Sequence, residues 1–248
     1  AIAWYQLGTV YEKANQWQGA AQAYQKSAQL EEQQGHLTEA AKTWDHLANL
    51  SQQFGQAQNA ETYYRKAIEM GKAVQDWPNV SKHSKTLAKL ILQNQPQRLP
   101  EARQLAEQAL SLEQTMVPEQ AKIWETYTLL ANIANQQNAL LEAQNYRRLA
   151  QEAQIKAQGL ENKLPRHQQF IEAVVQTTQK PQLRKQLDAM LRQREEKGWH
   201  KLVTATRRIL QGERNWEMLS QSENLDLEVA LIVQNILQQL QSNDVSIT

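Results

Sequence analysis

Lys82, Lys85 and Lys89 fall within an arc of about 60° at the 100° step of an α-helix, opposite the apolar side made by Val80, Leu87 and Ile91. Three ammonium groups so placed form a cationic stripe, and the chemistry of such a stripe is non-covalent: it complements an acidic segment. The other reactive side chains do not converge. His36, His46, His83, His167 and His200 show no i, i+4 pairing, so the donors that a metal needs are not brought together. Glu31-Glu32 and Glu195-Glu196 are adjacent, and on a helix adjacent side chains diverge by about 100°, which reads as solvated faces rather than acid–base pairs.

No GxxxxGK[ST] or GxGxxG phosphate loop, HExxH zinc helix or GxSxG nucleophile elbow occurs. The chain has no Cys, hence no disulfide and no thiolate chemistry, which fits a reducing compartment, and cytoplasmic is the expected location. These absences point to a protein that is not an enzyme and needs no cofactor or metal. No run of 18 apolar residues is present, so no membrane span is expected. The net charge of +1 is segregated: −1 over residues 1–162, +7 over 163–215 and −5 over 216–248. The basic stretch is spread over several predicted helices with few aromatics, which disfavours nucleic acid as a partner.

The elements that must position the lysines follow from self-similarity. Forty residues separate Trp4 from Trp44, Leu7 from Leu47, Gly8 from Ala48, Ala20 from Ala60 and Tyr24 from Tyr64. Leu87-Ala88 begins a third copy, with Ala102, Ala106 and Ala109 after a two-residue insertion. Leu130-Ala131, Ala134, Ala143 and Ala150 mark a fourth. Eight Gly, six Pro and abundant Ala, Gln, Leu, Glu and Lys favour an all-α chain. The apolar spacing predicts helices over 1–14, 17–34, 37–54, 57–75, 78–94, 98–115, 118–136 and 138–158, then 166–177, 181–197, 199–211 and 224–241. Small residues let paired helices approach closely, while Trp4, Trp44, Trp124, Tyr24 and Tyr64 fill the spaces between layers.

The pattern W-x2-L-G-x2-Y over Trp4–Tyr11, followed by A-x3-Y over Ala20–Tyr24, resembles the tetratricopeptide repeat. The units here run about 40 residues rather than about 34, and Glu32 stands where the family often has Pro. The resemblance implies a right-handed αα-superhelix of four long repeats over residues 1–160. A helical cap is expected over 161–248, after Gly159 and Pro165. It also implies that helix-A positions 2, 5, 9, 12 and 13 line a concave recognition face. Those positions are Ile2, Tyr5, Thr9, Glu12 and Lys13 in the first unit, Lys42, Asp45, Asn49, Gln52 and Gln53 in the second, and Lys82, Lys85, Lys89, Leu92 and Gln93 in the third. The candidate groove is therefore Tyr5, Thr9, Lys42, Asp45, Asn49, Gln52, Lys82, Lys85 and Lys89. Tyr5, Thr9, His46 and Thr86 occupy the places where relatives that grip a terminal carboxylate carry Lys, Asn and Arg, which argues against that particular clamp.

From Gly198-Trp199 through Gly212-Glu213-Arg214 to Ile232-Val233, the chain resembles the closing segment of repeat-bearing sensor regions in large bacterial STAND-type signalling NTPases. The expected function is recognition of a protein or peptide, such as an acidic segment or another domain of the parent chain. The alternative is a structural or self-assembly module. Because the sequence opens on Ala-Ile-Ala-Trp, an excised fragment is expected, with an uncovered apolar face on residues 1–14 through which a homo-oligomer can form.

Overall fold

The computed structural model describes residues 1–117 and 121–245. Among them there is no β-strand, and the chain divides into two compact units, Ala1–Ala150 and Gln151–Thr248. The first unit stacks helix pairs: α1 (Ile2–Lys13) with α2 (Trp17–Gln33), α3 (Leu37–Gln53) with α4 (Ala57–Ala73), α5 (Trp77–Asn94) with α6 (Leu99–Thr115), and α7 (Ile123–Gln136) with α8 (Leu140–Ala157), which runs on into the second unit. Each pair supplies an A helix and a B helix to an αα-superhelix. Positions 118–120 of the predicted helix 118–136 lie outside the described residues.

The turns recur because the backbone solves one problem repeatedly. Asn15, Gly35, Gly55 and Gln75, spaced every 20 residues, all adopt positive φ (57°, 74°, 69° and 59°). Each closes the preceding helix with two backbone bonds, as when Gly35 N donates to Glu32 O at 3.0 Å and His36 N to Glu31 O at 2.9 Å. This left-handed residue satisfies carbonyls that the helix end would otherwise orphan. The two-residue insertion falls between α5 and α6, where a 3₁₀ turn over Pro96–Arg98 replaces the left-handed residue.

The small residues sit at the close contacts. Ala20, Ala48, Ala60, Ala88, Ala102 and Ala143 are fully buried. A Cβ on Gly8 would stand 2.7 Å from the Tyr24 ring, closer than two carbons can approach. Trp44, Tyr24 and Tyr64 are core side chains as expected; Trp44 stacks on Tyr63 and carries Lys66 Nζ 4.1 Å from its ring centroid. Trp124 is half-buried and Trp4 is 41% exposed, because among the described residues no helix covers that side of α1. Ile2 and Val10 on α1 are exposed as well.

The second unit is a helical bundle of α9 (Gln168–Gln179), α10 (Arg184–Glu196), α11 (His200–Leu210), α12 (Trp216–Glu223) and α13 (Leu227–Val245). Its core holds Phe170, Ile171, Leu187, Leu191, Leu202, Val203, Ile209, Leu219, Ile232 and Ile236. Trp199 and Leu210 pack against it from the edge. Helix α12 was not foreseen, since its stretch shows no clear apolar period.

One expectation about carboxylates is overturned. Glu31 is not on a solvated face: it is buried, with Oε2 accepting from Thr43 Oγ1 at 2.8 Å and Oε1 from Ser27 Oγ at 3.0 Å. Its neighbour Glu32 accepts from Trp44 Nε1. The interface of α2 with α3 supplies the donors that water would otherwise supply.

Candidate functional site

The A helices present their successive positions in rows. Position 5 of one unit meets position 2 of the next: Asp45 Oδ2 lies 3.3 Å from Lys82 Nζ, and Lys85 Nζ lies 3.5 Å from Glu125 Oε2. Glu125 holds position 2 of the fourth unit, counted from Leu130-Ala131 standing where Leu87-Ala88 stand in the third. Position 12 of the first unit meets His46 of the second, Glu12 Oε2 lying 2.8 Å from His46 Nε2.

A second set of contacts ties each B helix to its own A helix. Tyr24 Oη donates to Glu12 Oε2 at 2.7 Å and lies 3.3 Å from Thr9 Oγ1. Forty residues on, Tyr64 Oη donates to Asn49 Oδ1 at 2.8 Å and lies 3.0 Å from Gln52 Oε1. Asn49 Nδ2 in turn donates to Asp45 O and Oδ1. Thr9, Asn49 and Gln52 thus already take part in the repeat's own hydrogen bonds, although Asn49 and Gln52 keep exposed amides.

The electrostatics follow the contacts. Burial pushes the Asp45 carboxyl up, but the His83 imidazole 3.1 Å away and Lys82 more than offset it and leave it below its ordinary value. His83 itself is buried with neither ring nitrogen hydrogen-bonded: the approach to Asp45 is close enough for an ion pair yet poorly aligned for a hydrogen bond. Glu12 is likewise held low, burial being outweighed by His46 and Tyr24. Burial first, then the Asp45 charge, raises the Tyr64 hydroxyl to about 12.

The predicted lysine stripe requires correction at one member. Lys82 and Lys89 are exposed, but Lys85 is buried, its Nζ 2.6 Å from Glu113 Oε1, and Glu113 also accepts from Ser81 Oγ and Thr126 Oγ1. The helical arc of α5 is as expected, yet its Lys85 edge turns under α6 and α7. There the ammonium neutralises a buried carboxylate rather than facing solvent. Lys42 is exposed on α3, and neither Lys42 nor Lys89 forms an ion pair among the described residues. Tyr5 is 38% exposed, its ring centroid 5.3 Å from Tyr24 and 6.2 Å from His46.

Of the residues expected to line a groove, Tyr5 and Thr9 stand on α1, Lys42, Asp45, Asn49 and Gln52 on α3, and Lys82 and Lys89 on α5. Ammonium groups, amides and an aromatic ring can bind and orient an anionic chain. Among the described residues no cluster of three His, Asp or Glu side chains has metal-ligand geometry, and no helix is long and apolar enough to cross a membrane.

Repeat register, stacked helix pairs and family likeness agree on the class. Residues 1–34 match the tetratricopeptide repeat family. BtubC (BKLC) from P. vanneervenii superposes with a TM-score of 0.54 at 18% identity, over 63% of this chain and 63% of BtubC. The apo form of RapI superposes with a TM-score of 0.53 at 12% identity, over 95% of this chain and 83% of RapI. At these identities the likeness is one of fold, and the chain spans less than two thirds of the length of BtubC. No curated protein matches the chain by sequence. Residues 1–34 carry a tetratricopeptide repeat, and the fold of the chain is that of a stacked helical-repeat protein.

Proposed function

We propose that this chain is a non-enzymatic recognition scaffold whose A-helix face accepts an acidic peptide or helix. The observation that carries the reading is the pair of exposed ammonium groups of Lys42 and Lys89 on adjacent A helices, which form no ion pair among the described residues, together with the exposed amides of Asn49 and Gln52. Helical repeats expose such a face because each unit buries its apolar side against its neighbours and leaves the inner row free. The reading assigns recognition to residues 1–160 and treats residues 161–248 as a separate helical module. With the STAND-like run from Gly198 to Val233, it makes the chain a sensor or interaction region of a larger, cytoplasmic bacterial signalling protein, in which partner binding biases a switch elsewhere.

Fluorescence anisotropy with labelled acidic, neutral and basic peptides of equal length tests this. Acidic peptides should bind more tightly than the others and lose affinity as salt rises; equal binding of all three classes overturns the reading.

Self-association is the second reading, favoured by the exposure of Ile2 (75%) and Val10 (61%) on α1. Sedimentation equilibrium decides it: a concentration-dependent dimer that Val10→Glu abolishes supports it, and a monomer at all concentrations removes it.

A further inference from the structure

At one register position the first three A helices carry Tyr11, Ser51 and Ile91 in turn. Ile91 is fully buried, and the Tyr11 ring lies over Gly19, where an added Cβ would stand 3.0 Å from it. Serine is shorter than either, and beside Ser51 a hollow of about 420 Å³ opens between α2 and α3. Trp17 opens α2 and Phe54 caps the end of α3, so their rings meet at the same end of the two helices, with centroids 4.0 Å apart. Leu50 and Ala21 complete the apolar lining, and Phe54 keeps 40% of its surface in solvent. Ser51 is only 5% exposed, yet its hydroxyl has no hydrogen-bond partner among the described residues, and neither has Trp17 Nε1. The exposed amides of Gln18 and Gln22 stand at the rim, and among the described residues no ionisable side chain lines the hollow.

We infer that this hollow binds a proline-rich segment of a partner protein in the polyproline II conformation. Uncharged aromatic walls favour an apolar ligand, and a hydroxyl, an indole N–H and two amides favour one that is rich in acceptors. A proline-rich chain offers both: pyrrolidine rings to lie against Trp17 and Phe54, and carbonyls that its own conformation leaves without partners. It brings few N–H groups to strand against the rings, and its stiffness lowers the cost of ordering it. The Ser51 hydroxyl, nearly buried and unpaired, gains a partner only from something that enters the hollow. The inference goes beyond the recognition reading above and does not depend on it, because no residue of the A-helix candidate set lines this hollow.

The test titrates the whole chain into labelled peptides built from Ala-Pro-Pro, Ala-Gly-Gly or Ala-Tyr-Ala repeats of equal length and reads anisotropy. The proline peptide should bind, and its affinity should hold within about twofold from low to high salt because no charge takes part. The glycine peptide, with the same carbonyls and no rings, should bind about tenfold more weakly. Phe54→Ala should weaken the proline peptide about threefold to tenfold, and Ser51→Ala about twofold to fivefold. Ser51→Ile places in the second unit the residue that the third unit carries as Ile91, fills the hollow and should abolish binding. Circular dichroism confirms that each variant is folded; should Ser51→Ile fail to fold, Phe54→Ala, whose ring is already part-exposed, carries the test, and unchanged affinity there overturns the inference. Tighter binding of the tyrosine peptide, equal binding of the glycine and proline peptides, full affinity in Ser51→Ile, or no binding of the proline peptide overturns it as well. None of these results bears on acidic peptides, so the two readings fail separately.

Discussion

Tyr64 Oη donates to Asn49 Oδ1 at 2.8 Å, and forty residues earlier Tyr24 Oη stands at the same register beside Thr9 Oγ1. The B helix of each of these two units reaches through its own core with a buried ring and sets the polar groups of its A helix from below. The exposed amides of Asn49 and Gln52 are thus oriented by a side chain that is itself fully buried.

Tyr64→Phe should keep the ring packing and lose the hydroxyl. The cost should be about 0.5–1.5 kcal/mol, since water can reach the exposed amides left behind. A urea midpoint unchanged at constant slope would show that the bond contributes nothing.

Gly8→Ala sets helix propensity against packing. An exposed helical Gly would gain from Ala, but here the added methyl meets a ring pinned by Glu12 and Tyr5. The net expectation is destabilisation on the order of 1–3 kcal/mol. Chemical denaturation of the variant checks it; a stabilised Gly8→Ala would mean that the first pair is looser than its contacts indicate.

Lys85 and Glu113 should behave as one unit. Lys85→Met leaves a buried carboxylate with only two hydroxyl donors and the distant Glu125 pair gone, at a cost on the order of 3 kcal/mol. Lys85→Met/Glu113→Leu should cost less than the sum of the two single changes, and strict additivity in the double-mutant cycle would contradict the pair.

Much of this was legible in the sequence, and what was not has a common cause. The 40-residue register located Ala60, Tyr64 and Trp44 in the core because packing partners recur locally. The left-handed turns at Asn15, Gly35, Gly55 and Gln75 recur at half that period, every 20 residues, and only the Gly pair announces it by type. Lys85 was misplaced because a helical wheel of α5 sees only α5. Its partners lie 28 and 40 residues on, at Glu113 and Glu125. Glu31 was misread for the same reason, since its donor Thr43 belongs to the next helix. Long-range charge compensation is a property of the stacked units and leaves no periodic trace in one of them.

On the B-helix side, Arg98 grips Glu61 with two contacts, Nη1 to Oε2 at 2.9 Å and Nη2 to Oε1 at 2.7 Å. Arg98, aided by Arg65 and against burial, holds the Glu61 carboxyl at about 2. A carboxyl depressed in the folded state stabilises above its unfolded value, near 4.5, and that contribution is lost as pH falls from there toward 2. Glu61→Gln should therefore cost on the order of 1–2 kcal/mol at pH 7 and little at pH 2. Thermal melts of both proteins across this range test it, and a pH-independent difference would contradict the assignment.

A lysine-acylation footprint, read by mass spectrometry with and without a saturating acidic peptide, tests recognition by the A-helix face most directly. Recognition by the A-helix face predicts that Lys42 and Lys89 lose reactivity when the peptide is bound. Lys26 and Lys72 on the B helices should react as before, and Lys85 should be slow in both states because Glu113 holds it in the interior. Protection of Lys26 and Lys72 with Lys42 and Lys89 unchanged would place recognition on the opposite face and contradict it.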